Sequence, residues 1–275
     1  MRLLLGVPLA IAGGWATPAG APTFHVHPGG DNANSGLSAT EPWLSIDRGQ
    51  PTRVRAAVSA GDSTIAVERA SQLPPGGLVT VDGRNVTCGN RNHTHLLGCT
   101  GTADAKVGAT VVGAWAPAGA GDVLLLSGGV HFLNCSVDSA TAQAGASYAA
   151  AVLYAGGAPG APLTIRGTST PGQQRTIIDG RDLGQGLRIS TSHVVLEDVE
   201  VRRGQVQVFE AADVHIKKGR FHGVGRDQAL GIEYSTNVSL SRSSIFDVAP
   251  PSPFPPPSPP PFPPYTTTAT TITQR

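Results

Sequence analysis

The sequence predicts an all-β protein, a solenoid of few coils with three short strands each, which carries an inserted β module and ends in a Pro-rich tail. Three observations lead there. Between residues 187 and 247 apolar-alternating runs recur in fixed order. Leu187 and Ile189, Val194 and Leu196, and Val199 and Val201 make one row; Val206 and Val208, Val214 and Ile216, and Phe221 make the next; Ile232 and Tyr234, Val238 and Leu240, and Ile245 make the last. Leu196, Ile216 and Leu240 lie 20 and 24 residues apart, and Val201, Phe221 and Ile245 repeat those intervals. One such row has too few inward side chains to bury them alone, so it needs neighbours stacked above and below. Second, 35 Gly and 23 Pro punctuate Val-, Thr- and Ala-rich runs, which suits short strands and tight turns. Third, only 14% of residues are charged and the net charge is +1, so no global basic field points to nucleic acid or an anionic membrane.

Residues 1–21 read as a secretory signal. Arg2 supplies the positive charge, residues 3–12 an apolar run too short to span a bilayer, and Ala16, Ala19 and Ala21 a cleavage region. No other stretch is apolar enough to cross a membrane. Secretion agrees with four N-glycosylation tripeptides, at Asn85, Asn92, Asn134 and Asn237. Cys88 and Cys99 bracket a hairpin and either pair as a disulfide, leaving Cys135 odd, or stand with it as three separate buried thiols.

Residues 22–50 open the solenoid: a strand at 23–26, the turn-rich loop PGGDNANSG, and an apolar return through Trp43 and Ile46. Residues 51–117 interrupt it as a small β module with strand runs at 63–67, 78–81, 85–88 and 109–112. Asp82-Gly83 between two such runs is a hairpin signal. Residues 118–248 carry the coils, beginning with AGDVLLL at 120–126 and a turn at Gly129-Val130-His131-Phe132.

The stretch FHVHPGGDNANSGLSATEPWLSI, the AGDVLLL segment, GGAPGAPLTI at 156–165 and RTIIDG at 175–180 resemble the secreted right-handed parallel β-helix proteins of the pectate-lyase-like superfamily. The resemblance excludes residues 51–117 and the tail. It implies a right-handed parallel β-helix and an acidic cell-wall polysaccharide as the partner. It carries no catalytic residue across, because the family's base and calcium ligands lie on coils beyond those matched.

The tail from residue 249, PPSPFPPPSPPPFPPY followed by TTTATTITQR, is read as disordered, its prolines favouring a stiff polyproline rod. Its Ser-Pro-Pro-Pro texture resembles hydroxyproline-rich wall glycoproteins, which implies extracellular matrix or cell wall; a plain linker fits equally.

Strand alternation assigns chemistry to an outward face. Glu197, Glu200 and Arg202 point out on one coil and Lys217, Arg220 and His222 on the next, so Glu200 is expected over Arg220 and Glu197 over Lys217. A second column is expected to run Arg188, Gln207, Glu233. Two readings fit. Glu200, Arg202, Lys217, Arg220, His222 and Glu233 bind uronate carboxylates in a groove, or the same charges are cross-coil ion pairs on a solvated sheet.

A lyase would further need a cation, commonly calcium, on six to eight oxygens, and a base of depressed pKa. Asp179, Asp182, Asp198, Asp213, Asp227 and Asp247 are scattered, so no dense Asp cluster offers that site and no cofactor is evident; calcium belongs only to a lyase-like reading. A hydrolase would need paired carboxylates, for which Asp179, Glu200 and Glu233 stand without the expected patterns. His25 with His27 and His93 with His95 lack a third ligand, so no metal is assigned. Two functions remain: a β-helix protein that binds acidic polysaccharide, which a complete member would cleave, and a non-catalytic matrix glycoprotein or inactive β-helix fragment. Self-association is expected through the exposed solenoid end.

Overall fold

The computed structural model describes residues 20–70, 72–92, 94–132, 149–168, 174–180, 185–223 and 229–246. The expected signal segment, the tail, Asn134, Cys135, His93, Asp182, Asp227 and Asp247 lie outside them. The described residues form 22 strands, numbered in chain order.

Three parallel sheets build the solenoid. The first stacks β1 (Thr23–Val26), β9 (Val123–Leu126), β12 (Leu163–Gly167), β15 (Val194–Glu197), β18 (Ala212–Lys217) and β21 (Thr236–Ser241). The second stacks β10 (Gly129–Phe132), β13 (Thr176–Asp179), β16 (Glu200–Arg202), β19 (Arg220–His222) and β22 (Ser244–Phe246). The third stacks β11 (Ala149–Leu153), β14 (Gln185–Ile189), β17 (Gln205–Phe209) and β20 (Leu230–Glu233). The chain visits the three in turn, so this is a parallel β-helix, right-handed as crossovers between parallel strands are.

Inward columns run through every coil. Ile165, Leu196, Ile216 and Leu240 share one, and Ile178, Val201, Phe221 and Ile245 another. Together with the third sheet's Leu187, Ile189, Val206 and Val208 they make one continuous core. Three features differ from expectation. Residues 129–132 are a strand rather than a turn, and His131 falls in the inward column beside Ile178. Six strands in the first sheet give a stack about 24 Å tall, more coils than the three rows read between residues 187 and 247. In the third sheet the inward pair of the last coil is Leu230 and Ile232, opposite Val206 and Val208, so Tyr234 is not inward but 74% exposed.

Strand β1 pairs directly with β9 across the intervening residues. Those residues form two antiparallel sheets, β2 (Thr52–Arg53), β8 (Thr110–Gly113), β4 (Gly77–Val81) and β5 (Arg84–Cys88), and β3 (Thr64–Ala66), β7 (His95–Leu97) and β6 (Asn90–Arg91). They enclose a separate core around Ile65, Leu73, Val79, Leu96 and Val111. Asp82 and Gly83, both at positive φ (49° and 79°), close the two-residue loop from Val81 to Arg84.

Polar groups tie the module, and Gln50 just before it, to Tyr154 and Ala155 after β11. Gln50, 1% exposed, accepts the Tyr154 and Ala155 backbone N–H groups at 2.9 and 2.7 Å and donates to the Ala155 carbonyl at 3.3 Å. The Tyr154 hydroxyl donates to Glu68 at 2.7 Å under the Arg53 guanidinium. Burial first and Glu68 second raise its pKa, keeping it a donor.

Candidate functional site

The candidate site is the outward surface of the last coils, where two-residue corners join the first sheet to the second. Asp198, Lys218 and Arg242 hold the first corner position at φ 56°, 54° and 51°, spaced 20 and 24 residues apart like the core columns. His193, Asp213 and Asn237, at φ 58°, 55° and 51°, repeat the same spacing where the chain enters the first-sheet strands. A non-glycine residue in this left-handed region costs about 1–2 kcal/mol. Arg242 was not singled out from the sequence because it lies outside any alternating run; the repeated interval was the signal that could have found it.

The ladder registers are those the alternation implies, Glu200 opposite Arg220 and Glu197 opposite Lys217. The ion pairs are not. Glu200 Oε1 lies 3.0 Å from His222 Nε2, two residues past Arg220 on the next coil, and Glu197 takes Arg166 at 3.0 Å and Lys218 at 3.4 Å. Lys217 and Arg220 therefore make no ion pair among the described residues. The His222 ring stacks on Phe246 with centroids 4.7 Å apart and planes within 8°, and the Arg220 guanidinium lies 5.6 Å from the same Phe246 ring.

Arg202 serves an internal carboxylate. It donates to Asp179 Oδ2 at 2.9 Å, while Arg203 donates to Oδ1 at 3.0 Å and Oδ2 at 2.6 Å. Asp179 is 0% exposed beneath two partly exposed guanidinium groups, so losing them would strand a buried carboxylate. Glu233 is displaced from its expected column: Gly231 sits opposite Gln207 and Glu233 opposite Phe209. Its carboxylate still reaches Gln207 Nε2 at 3.0 Å. Glu233 therefore stands on a different sheet from Glu200 and Asp179, and the three carboxylates do not form one acid–base set.

On the outer face of the first sheet His215 Nδ1 lies 2.7 Å from Ser239 Oγ. Burial and then Lys217 hold the His215 pKa below its ordinary value, against Asp213, which raises it.

Cys88 and Cys99 form a disulfide that joins β5 to the segment after β7. Asn85, Asn92 and Asn237 are exposed, and Asn237 Nδ2 donates to Asp213 Oδ1. Among the described residues no three His, Cys, Asp or Glu side chains gather as a metal site, and no helix is long and apolar enough to cross a membrane. His27 Nδ1 accepts the Gly29 N–H at 2.9 Å and His95 Nδ1 sits 2.9 Å from Thr94 Oγ1.

The site therefore offers cations, a stacked ring pair and carboxylates already committed to partners. It can hold an anion beside the His222–Phe246 ring stack. No family model matches this sequence, and no curated protein does. Among solved structures a rhamnogalacturonan lyase superposes with TM-score 0.46 and 12% identity over 82% of this chain. The chain spans 42% of that protein's length. The sheets alone define the class, a parallel β-helix protein with an antiparallel module set between its first two coils.

Proposed function

We propose that this protein is secreted and binds acidic cell-wall or matrix polysaccharide on the outer face of β16, β19 and β22 without cleaving it. One observation carries the reading. Glu200 is spent on His222, so the exposed Arg220 keeps its guanidinium available beside the His222–Phe246 stack. A cation next to a flat ring pair is the chemistry that takes a uronate: carboxylate to the guanidinium, sugar face to the rings. Lys217 adds a second unpaired charge on the same coil, whereas Arg202 supports the site through Asp179 and Glu233 lies off it.

Cleavage is not part of the reading because Asp179 and Glu197 are each paired with a cation and Glu200 is hydrogen-bonded to His222. Calcium would enter only with a lyase activity, and these carboxylates are not gathered to hold it.

Incubation of the secreted chain with polygalacturonate or alginate plus calcium, followed by ultraviolet absorbance and by retention on a column of the same polymer, tests both halves. Retention without an absorbance rise is expected. A rise from unsaturated product overturns the non-catalytic half; an unretained chain overturns binding.

A further inference from the structure

Beside the proposed binding face, at the corner between the first and second sheets, Glu197, Lys217, Lys218, Ser241 and Arg242 line an open depression of about 420 Å³. That lies within the roughly 300–1,000 Å³ of small-molecule sites, large enough for one sugar residue. We propose that this depression is an anion subsite that takes the oxyanion substituent, a carboxylate or a sulfate ester, of one sugar in the polysaccharide chain; the inference rests on the function proposed above and names where the polymer's charge is read.

The charges do not cancel. Three cations face one carboxylate, and that carboxylate is shared between Lys218 at 3.4 Å and Arg166, which approaches at 3.0 Å. Lys217, directly opposite Glu197 in the ladder, and Arg242 make no ion pair among the described residues. Two unpaired cations beside a shared carboxylate attract an incoming anion instead of a neighbour.

The backbone gives a second, independent indication. At this corner column the coils carry Asp198, Lys218 and Arg242, each in the left-handed region. Gly or Asn would hold that conformation at lower cost. Long cations there stay exposed, and they point the same corner of two successive coils toward one depression.

The donor set fits an oxyanion. Two ammonium groups supply point charges, Arg242 a planar fork, and Ser241 a hydroxyl, so several oxygens of one group can be met at once. No aromatic ring lines the depression, whereas bases of a single-stranded nucleic acid would need one to stack on. The depression also adjoins that face along the coil. Lys217 and Lys218 precede Arg220 by three and two residues, so a chain seated on the Phe246 ring can place its next charged substituent at the corner.

Affinity electrophoresis of the full secreted chain through gels containing polygalacturonate, dextran sulfate or neutral dextran provides the test. Retardation by an anionic polymer, diminishing with salt, and none by dextran is expected. Lys217→Gln combined with Arg242→Gly should weaken it about tenfold, from the loss of two charge-assisted contacts. Glycine at 242 suits the left-handed corner, so a thermal melt no lower than wild type separates lost binding from lost folding; Lys217→Gln alone should weaken binding about threefold. Loss on polygalacturonate identifies a carboxylate as the ligand group, and loss on dextran sulfate a sulfate ester. If the double variant binds as wild type while Arg220→Gln weakens, the subsite is overturned and the polysaccharide reading stands. If neither anionic polymer retards the wild type, both are overturned.

Discussion

The two ends of the solenoid are finished differently. At the first, the loop after β1 turns back so that Trp43 bridges to Val26, stacks on Phe24 with centroids 4.4 Å apart and joins the core at 1% exposed. Arg48 lies over that ring at 4.4 Å and over Trp115 at 4.9 Å, binding the cap to the chain as it leaves the inserted module. Gly36, at φ 74°, passes so close to the Trp43 ring that an added Cβ would sit 2.3 Å from Nε1. At the other end, among the described residues, β21 and β22 are the last strands of their sheets, and Ile245 is 47% exposed although Val201 and Phe221 in the same column are fully buried. A repeating pattern builds inner coils, but an end needs sequence that does not repeat.

The largest way to break this contrast is Trp43→Ala. Losing a fully buried indole and its two stacked partners should cost about 3–5 kcal/mol, read as a lower midpoint in a thermal or urea melt. A midpoint near wild type would show that the cap is dispensable.

An intermediate effect lies in His131, buried in the coil next to that capped end. Its Nε2 lies 2.8 Å from the Ser127 carbonyl, which makes it the donor of a neutral imidazole, while Nδ1 has no partner. Burial above all, with a smaller contribution from nearby His27, lowers its pKa, although the Ser127 contact raises it. Because the folded pKa is depressed, the unfolded chain takes up a proton first as pH falls below about 6.5, and stability is lost from there down to the folded pKa. The melting temperature should therefore fall between pH 7 and pH 5, and His131→Leu should flatten that limb. An unchanged slope would remove His131 from the account.

The smallest effect on stability, and the most informative about the open end, is expected from Ile245→Ser. A half-exposed residue should cost under about 1 kcal/mol. If the edges of β21 and β22 pair end to end between copies, sedimentation velocity should show association in the wild type and a shift toward monomer in the variant. A wild type that is monomeric at all concentrations would count against open-end pairing.

The contrast also separates what could be read from residues from what could not. The columns of Leu196, Val201, Val206 and their repeats were legible because each coil imposes the same inward positions. The Asp82-Gly83 hairpin was legible because two consecutive left-handed residues demand such a pair. Tyr234 was misplaced since Leu230 and Ile232 satisfy the same alternation as Ile232 and Tyr234; the buried Ser235, whose hydroxyl donates to the Glu233 carbonyl at 2.8 Å, and the left-handed turn at Tyr234 fix the register instead.

The candidate site followed the same division. The sequence by itself determined which residues face outward and which coil neighbours lie opposite, because alternation and a fixed coil length are one-dimensional properties. Only the tertiary structure decided that Glu200 pairs with His222 and not Arg220, that Arg202 turns to Asp179, and that Lys217, Lys218 and Arg242 share one depression. Side chains on a stacked sheet reach diagonal and corner neighbours as easily as the residue directly opposite, so the partner each one takes depends on distances in three dimensions.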